Sequence, residues 1–152
     1  MLDFVVGSET KVLNDPNNTP VTTAFVIVES DKGFMLLYNK YRRLWELAGG
    51  VIEQGESSRD CVIRECREES NQEISDLRFV GLAKLLMGKN EYRENDSVEF
   101  SAVYHAFLDK ENPFAENDEI KELRWWKPVG GIADFCRESM EMIGRYIGTK
   151  AS

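Results

Sequence analysis

The chain has 152 residues and a formal net charge of −8, and 42% of its residues are hydrophobic. This length predicts one domain over residues 1–152 with a true hydrophobic core, and the composition excludes a disordered chain. The net negative charge argues against sequence-independent binding of nucleic acid, which needs a basic surface. It still allows a small phosphate compound to bind, because a metal ion can bridge two negative partners.

Three features favour a soluble cytoplasmic protein with no membrane partner. The first residues lack the basic and apolar regions of a signal peptide, and no apolar run approaches the roughly 20 residues of a membrane helix. The three cysteines, Cys61, Cys66 and Cys136, have no metal-ligand spacing and predict free thiols in a reducing compartment. We expect Cys61 and Cys66 to pack in the core rather than to act in redox chemistry. The oligomeric state stays open, with a homodimer among the options.

The first half of the chain predicts strands before any helix. A short strand is expected at residues 4–6, and a polar loop then runs to Pro20. Residues 21–28 and 34–38 are rich in apolar, β-branched and aromatic side chains, which favour strands. The turn signal at residues 31–33 joins them and predicts a hairpin.

A helix over residues 58–70 follows, and Ser57 with Asp60 resembles a capping box at its start. The remaining predicted elements are strands at 77–87, 98–108 and 122–126 and a helix over 132–147. Gly81 is expected to mark a bulge in the first of these strands. This order predicts an α/β protein of the α+β type: a mixed sheet with helices on both faces, an α/β/α sandwich.

Three glutamates of the predicted helix, Glu65, Glu68 and Glu69, share one helix face because they lie three and four positions apart. Like charges at this spacing repel each other by roughly 0.2–0.5 kcal/mol per exposed pair, so the arrangement does not serve helix stability. A solvated acidic face is the ordinary explanation of such a run. The fixed spacing from a preceding Gly-Gly turn instead favours a site for Mg²⁺ or Mn²⁺, which prefer carboxylate and carbonyl oxygens.

Residues 50–72 resemble the Nudix box of MutT-like hydrolases, G-x5-E-x7-R-E-U-x-E-E-x-G-U, in which U is a bulky apolar residue. The first glycine and every charged position match, namely Gly50, Glu56, Arg64, Glu65, Glu68 and Glu69. Three positions depart from the pattern, namely Cys66 and Asn71, then Gln72 in the last apolar position. Asn is the next-best residue after glycine for the left-handed turn that ends a helix, so Asn71 changes the helix end rather than the ligands.

The resemblance implies an enzyme that cleaves the pyrophosphate bond of a nucleoside diphosphate linked to another moiety, with Mg²⁺ or Mn²⁺ as cofactor and water as nucleophile. The metal ligands that it implies are Glu65, Glu68, Glu69 and the backbone carbonyl of Gly49 or Gly50. The catalytic residues that it implies are Glu65, Glu68, Arg64 and Glu56. Arg64 would orient the carboxylates, and Glu56 would lie beside it.

The general base stays open, because members of the family differ on which carboxylate takes the proton. A carboxylate outside the box is one option, and the loop before residue 122 offers Glu116, Asp118 and Glu119. Glu119 is also our candidate for contact with the substrate. A solvated acidic loop explains any one of these three residues equally well.

The sequence gives weaker evidence for other residues that could contact a substrate. Arg42 and Arg43 lie in a local basic cluster that could meet phosphate, although an exposed turn explains them equally. His105, the only histidine, is expected to pack or form a hydrogen bond, since hard ions prefer oxygen. The aromatic residues that could stack on a base, each expected first to pack, are Trp45, Tyr92, Tyr104, Trp125 and Trp126.

The substrate itself stays open at this stage. A small-molecule nucleotide is expected, and nucleoside triphosphates, including oxidised ones, suit the small build. Nucleotide sugars and dinucleoside polyphosphates are the alternatives within the same chemistry. A Nudix-like domain that binds a nucleotide as a sensor without turnover is the alternative outside it, and the intact acidic set argues against that alternative.

Overall fold

The computed structural model describes residues 1–91 and 93–151. Its elements are β1 (Asp3–Val5), α1 (Glu9–Asn14), β2 (Val21–Ser30), β3 (Gly33–Asn39), β4 (Leu44–Glu46), β5 (Ala48–Val51), α2 (Ser58–Ser70), β6 (Arg78–Met87), β7 (Ser97–Phe107), β8 (Ile120–Trp126) and α3 (Arg137–Ala151). One eight-stranded sheet separates a core under α1 and α2 from a second core under α3. The predicted α/β/α sandwich with a mixed sheet is confirmed.

The sheet has the strand order β1-β6-β7-β2-β3-β4, with β5 also paired to β2 and β8 to β3. β2 and β7 run parallel, and β5 lies antiparallel to β2. The predicted hairpin of β2 and β3 holds over two residue pairs, after which the strands diverge. This divergence lets β5, with its two glycines, pair with the middle of β2.

Side chains of β2 alternate between the two cores, as expected of a buried strand. Val26 and Val28 are fully buried in the core that contains Val62 of α2. Ile27 points the other way and packs in the core that contains Ile143 of α3. The sheet therefore fixes both helices relative to one central strand.

Helix α2 has the predicted bounds and both predicted ends. The Ser57 hydroxyl accepts a hydrogen bond from the Asp60 N–H at 3.0 Å, which caps the first turn. Asn71 has the left-handed conformation, with φ of 63°, and its N–H donates to the Arg67 carbonyl. Gln72, the third departure from the box, is fully buried, and its amide group is satisfied because it bonds to the Asn112 backbone through both its nitrogen and its oxygen.

Two predictions about helices were wrong. The stretch before Pro20 contains α1, which Ser8 caps and which buries Val12, so tertiary contacts stabilise a helix too short for a sequence signal. The last helix begins at Arg137 rather than at residue 132. Asp134, with φ of 61°, interrupts the apolar repeat before the helix begins.

The predicted bulge at Gly81 is confirmed by a shift of register between Phe79 and Gly81 in the pairing of β6 with β7. A Cβ atom at Gly81 would lie 2.3 Å from the ring of Phe4. The glycine therefore allows β1 to pack closely on β6.

Candidate active site

Helix α2 places its acidic residues by burying the opposite side. Cys61, Val62 and Cys66 are fully buried against the sheet. The face that remains carries Glu65 and Glu68, whose side chains are 15% and 59% exposed. The helix thus presents carboxylates with different access to water along one edge.

Arg64 is the centre of the exposed part of the site. Its guanidinium donates two hydrogen bonds to Glu56, at 2.7 and 3.0 Å, and one each to Glu65 at 2.9 Å and Glu68 at 3.2 Å. The bonds from Arg64 lower the pKa of Glu56 to about 2, and those to Glu56 raise the pKa of Arg64. Arg64 and Glu56 thus form a fixed ion pair that orients two further carboxylates.

Glu69 faces away from Arg64 and is only 3% exposed. Its carboxylate accepts a hydrogen bond from the Gly49 N–H at 2.9 Å. Burial raises the pKa of Glu69 to about 9, against the effect of this bond. Three neighbouring carboxylates act in the same direction as burial, those of Glu119, Glu65 and Glu46. Burial likewise raises the pKa of Glu65.

A second polar group supports the site from β3 and β4. Asn39, which is buried, donates to Glu46 at 2.9 Å and to Glu119 at 3.3 Å. Arg42 donates two hydrogen bonds to Glu46, at 2.6 and 3.0 Å. The bonds with Glu46 raise the pKa of Arg42, and the charges of Glu119 and Glu69 contribute. Asn39 therefore joins carboxylates from separate parts of the chain, and Arg42 holds one of them.

The two glycines of β5 lie between these groups. A Cβ atom at Gly50 would stand 3.0 Å from the carboxyl carbon of Glu65, so the missing side chain leaves room for that carboxylate. Gly49 has φ of 153°, and a Cβ atom there would lie 2.3 Å from the carbonyl oxygen of Ala24. The Cys61 thiol donates to the Gly50 carbonyl at 3.6 Å.

Over residues 1–91 and 93–151, no three acidic, histidine or cysteine side chains stand together as a ready-made metal cage. Glu65 and Glu68 are instead turned to Arg64, and Glu69 to the Gly49 N–H. The donor set nevertheless suits a hard divalent cation, because it consists of carboxylates and adjacent backbone carbonyls. Neighbouring carboxylates raise the pKa of Glu69, so a cation among them would relieve their repulsion.

A cleft of about 470 Å³ opens beside β5, and we call it the β5 cleft. Gly49, Gly50, Glu46 and Arg42 line one part of it. Its remaining walls come from β2, the end of β6, the first residues of the chain and the start of α3. The volume lies in the range of small-molecule sites, roughly 300–1,000 Å³.

The structure separates the predicted residues outside the box. Glu119 lies beside the site, bonded to Asn39, whereas Glu116 forms an ion pair with Lys40 at 2.7 Å and Asp118 is exposed. Arg42 lines the cleft but is paired with Glu46, and Arg43 is exposed on the turn.

The aromatic candidates and the histidine mostly pack, as expected. Trp45 and Tyr104 are buried, and the Trp125 indole donates to Glu111 at 2.6 Å. Trp126 packs edge-to-face on Phe135. Tyr92 lies outside the described residues. His105 is buried and forms a 2.9 Å hydrogen bond with Glu29, as predicted.

Sequence reasoning missed Glu46 and Asn39. Glu46 interrupts an apolar stretch three residues before the glycine pair, and a charged residue in such a stretch is a signal that could have been used. Asn117 was also missed; its side chain donates to the Glu69 carbonyl at 3.0 Å and accepts the N–H of Glu119. Nothing in the spacing of Asn39 or Asn117 marks these two residues.

No helix among the described residues is long and apolar enough to cross a bilayer. The cysteines carry no disulfide, and burial raises the pKa values of Cys61 and Cys66 to about 12. These thiols therefore stay protonated in the core, which agrees with the predicted packing role.

The known proteins that are similar to this chain include Nudix hydrolases. The uncharacterized Nudix hydrolase YvcI of Bacillus subtilis is 29% identical over 99 residues, which are 65% of this chain and 61% of that protein. The NAD-capped RNA hydrolase NudC of Mycobacterium tuberculosis is 31% identical over 85 residues, 55% of this chain and 24% of that protein. The chain thus spans less than two thirds of the length of these relatives.

Solved structures support the fold. A MutT NUDIX hydrolase from Burkholderia pseudomallei aligns with a TM-score of 0.70 at 18% identity, over 84% of this chain and 98% of that one. The NUDIX domain of Shewanella oneidensis NrtR, complexed with ADP ribose, aligns with a TM-score of 0.66 at 15% identity, over 96% and 100%. The family model of the NUDIX domain matches residues 19–132, most of the chain, and this chain therefore belongs to the Nudix family.

Proposed function

We propose that the protein is a divalent-metal-dependent hydrolase that cleaves the pyrophosphate bond of a nucleoside diphosphate linked to another moiety. A nucleoside triphosphate, including an oxidised one, is the proposed substrate, and Mg²⁺ or Mn²⁺ the proposed cofactor. Nudix hydrolases generally use divalent ions. The chain's own residues supply the more specific support.

The observation that carries this proposal is the surplus of carboxylates at Gly49 and Gly50. Glu69 is buried, and the charges of Glu119, Glu65 and Glu46 raise its pKa further. Glu69 forms no ion pair among the described residues and accepts only the Gly49 N–H, so its ionised form is destabilised in the fold without a cation. A cation that binds together with the substrate's phosphates would neutralise part of this negative charge.

The residues that would hold the ion are Glu65, Glu68, Glu69 and the carbonyl of Gly49 or Gly50. When bound, a divalent ion neutralises charge on the pyrophosphate and makes water a better nucleophile. Gly50 allows the Glu65 carboxylate to approach the backbone, where a side chain would meet it at 3.0 Å. The exposed Glu68 keeps the greatest freedom to turn toward a substrate.

Arg64 and Glu56 hold this set in place. Their paired hydrogen bonds fix the guanidinium, which in turn orients Glu65 and Glu68. Glu65 or Glu68 would accept the proton from the attacking water. Glu119 is a further candidate for that role or for contact with the substrate, because Asn39 holds it beside Glu69.

Arg42 and Arg43 are proposed contacts for the phosphates beyond the cleaved bond. Arg42 lines the β5 cleft and is the guanidinium bonded to Glu46, so it can add a phosphate contact without losing its support. Arg43 reaches solvent from the same turn. Lysine in place of Arg42 would lose the two-point bond to Glu46.

The experiment is a panel of nucleoside triphosphates, nucleotide sugars, ADP-ribose and dinucleoside polyphosphates, assayed with Mg²⁺, with Mn²⁺ and with a chelator. ADP-ribose is included because a structural neighbour was solved with it. A triphosphate is expected to give a monophosphate and pyrophosphate, or a diphosphate and phosphate, but no free nucleoside. In ¹⁸O-labelled water, the product that carries the label identifies the attacked phosphorus.

Three results would contradict the proposal. Label in neither phosphate product would exclude direct attack by water and favour transfer to another acceptor. Binding of nucleotides without turnover in either metal would instead indicate a sensor domain. Turnover that survives full chelation would remove the metal from the mechanism.

A further inference from the structure

The loop before β8 carries three acidic residues, and one of them lies at the proposed metal site. Glu116 and Asp118 are exposed. Glu119 is partly buried, and its charge adds to the effect of burial in raising the pKa values of Glu65 and Glu69. Two asparagine side chains hold Glu119 in this place.

The first of them, Asn117, fixes the backbone of Glu119. Its amide oxygen accepts the N–H of Glu119 at 3.1 Å and that of Ile120 at 2.8 Å, which closes a turn. Its amide nitrogen donates to the backbone carbonyl of Glu69 at 3.0 Å. Asn117 therefore ties the turn that carries Glu119 to the last turn of α2.

The second, Asn39, is buried and fixes the side chain of Glu119. Its amide oxygen accepts the N–H of Tyr41 at 2.9 Å and that of Arg42 at 3.0 Å, which closes the turn after β3. Because two N–H groups donate to this end of the amide, it must be the oxygen. The amide nitrogen therefore faces two carboxylates, and it donates to Glu46 at 2.9 Å and to Glu119 at 3.3 Å.

The two turns do not by themselves require asparagine. Aspartate forms the same kind of turn, because the turn uses only the side-chain oxygen. Aspartate lacks the amide N–H₂ group, which in Asn39 serves two carboxylates and in Asn117 serves the carbonyl of Glu69. At either position, aspartate would place an acceptor against an acceptor. The bonds of the amide nitrogens therefore account for asparagine at both positions.

We propose that Asn39 and Asn117 are positioning residues that hold Glu119 beside the metal-binding carboxylates for the reaction. The inference rests on the proposed function, because that function places the ion and the cleaved bond at Glu65 and Glu69. Asn117 places the backbone of Glu119, and Asn39 turns its carboxylate. Neither asparagine needs to touch the substrate, since both act through Glu119.

A purely structural role would also give both asparagines their bonds. In that case, Asn39→Asp and Asn117→Asp would lower the Tm and would change kcat by the same factor with or without the Glu119 carboxylate. A positioning role makes their effect on kcat depend on that carboxylate. A double-mutant cycle separates the two explanations, because coupling appears between residues that act together.

The test measures kcat and KM with Mg²⁺ for the nucleotide of the panel that the wild type hydrolyses fastest. The variants are Asn39→Asp, Asn117→Asp, Glu119→Ala and each asparagine variant combined with Glu119→Ala. Each Asn→Asp substitution alone is expected to lower kcat by about tenfold and to change KM by less than about twofold, because it misplaces a reacting group. Added to Glu119→Ala, either substitution should lower kcat by less than about twofold further.

Asn18→Asp is the matched control. Asn18 is also buried, and its amide nitrogen donates to the Val12 carbonyl at 2.9 Å, but it does not line the β5 cleft. This variant should lower the Tm and leave kcat unchanged, with or without Glu119→Ala. Equal losses of kcat for Asn39→Asp and Asn117→Asp in both backgrounds would overturn the inference. If Asn39→Asp does not fold, the cycle with Asn117→Asp still decides.

A second measurement does not depend on turnover. In urea unfolding, Asn39→Asp should lower the midpoint less in the Glu119→Ala background, because one of the lost bonds ends on that carboxylate. Asn117→Asp should lower it equally in both backgrounds, since its bonds end on backbone groups that alanine retains. An equal loss for Asn39→Asp in both backgrounds would show that Asn39 does not hold Glu119. A wild type that hydrolyses no nucleotide would instead overturn the proposed function, whatever the unfolding cycle shows.

Discussion

At the start of α2, Glu9 of α1 accepts hydrogen bonds from a guanidinium and a hydroxyl group, whereas near the end of the same helix Glu69 lies among further carboxylates. Arg59 donates to both oxygens of Glu9, at 2.9 and 3.0 Å, and the Tyr104 hydroxyl adds a bond at 2.7 Å. Ser58 bonds to the same hydroxyl at 2.6 Å. Each acidic group of this cluster has a donor, and the cluster ties α1 to α2 and β7.

The two clusters show opposite pKa shifts. Burial works against ionisation of Glu9, but the bonds from Arg59 and Tyr104 outweigh it and lower the pKa. Burial of Glu69 is not offset in this way, and its pKa rises to about 9. The cluster of Glu9 stabilises the fold, whereas Glu69, which forms no ion pair among the described residues, has a raised pKa of the kind found at functional sites.

The strongest test of this contrast is Glu69→Gln. We expect turnover to fall by more than about a hundredfold, roughly 2.7 kcal/mol in the barrier, because an amide cannot supply an anionic ligand. The Tm in chelator should stay close to that of the wild type near pH 7, since a carboxyl with a pKa of about 9 is already neutral there, and should exceed it above pH ~9, where the buried group would carry a charge. Steady-state kinetics and calorimetry measure the two effects.

Glu73→Gln is the matched control, because Glu73 follows the same helix but is exposed and paired with Arg67 at 2.7 Å. It should change neither turnover nor Tm appreciably. If the turnover of Glu69→Gln stays within about tenfold of the wild type, a change of about 1.4 kcal/mol in the barrier, Glu69 is not a metal ligand.

The two glycines of β5 serve different purposes. Gly49 is required by the backbone conformation, and Gly50 leaves room for the Glu65 carboxylate. Gly49→Ala should destabilise by about 3 kcal/mol or more, because φ is 153° and the new methyl would lie 2.3 Å from a backbone oxygen. Gly50→Ala meets only the movable end of Glu65, so it should fold normally and lose about tenfold in turnover. Urea unfolding and metal-dependent kinetics distinguish the two. Equal loss of stability in both variants would contradict this division.

The sequence predicted the helix of the box closely, because its cap, its apolar side and its left-handed end are all local features. Ser57 and Asn71 stand where the structure has the ends of α2. The carboxylates around Glu69 could not be predicted in this way. Glu46 and Glu119 come from β4 and from the loop before β8, and they meet through the buried amide of Asn39. The spacing of residues along the chain does not show which distant segments come together in the fold.

The errors at the two outer helices have the same origin. Helix α1 has six residues and depends on Glu9 and Val12 reaching α2 and the core, which are tertiary contacts. The apolar repeat before α3 is real, but Phe135 forms a bridge with Trp45 instead of joining the helix. Apolar periodicity reports which side chains are buried and does not distinguish a helix from an adjoining extended segment in this case.

The paired cluster can be tested by its dependence on pH. The folded-state pKa of Glu9 lies below its ordinary value of 4.5, so its stabilisation is present above that pH and is lost as pH falls through the folded-state pKa. Glu9→Gln should therefore lower the free energy of unfolding by about 1 kcal/mol at pH 7 and by less below pH ~4. Urea unfolding across this range measures the difference.

Glu116→Gln provides the comparison for Glu9, because its bond with Lys40 is exposed. This variant should stay within about 0.5 kcal/mol of the wild type at every pH. A loss for Glu9→Gln that is independent of pH would show that shape rather than charge holds α1 to α2. Turnover should be unchanged in both variants, since neither residue is among the carboxylates around Glu69.

The smallest expected effect concerns the thiols of α2, which lie between the two clusters. Cys61 and Cys66 are fully buried, and burial raises their pKa values to about 12, so neither should react with a thiol reagent in the folded protein. Cys136, half-buried in the β5 cleft, should be the thiol that reacts. Mass spectrometry after brief labelling assigns the modified residue.

Replacement of Cys61 and Cys66 by alanine should cost about 1 kcal/mol each in the free energy of unfolding, because each substitution leaves a small void. The requirement for a divalent ion should not change, although the Cys61 thiol bonds to the Gly50 carbonyl at 3.6 Å. That bond is weak, and the carbonyl has a second lone pair for another partner. If Cys61→Ala shifted the metal concentration needed for half-maximal turnover while Cys66→Ala did not, the Gly50 carbonyl would be positioned by the thiol, and Cys61 would belong to the site rather than to the core.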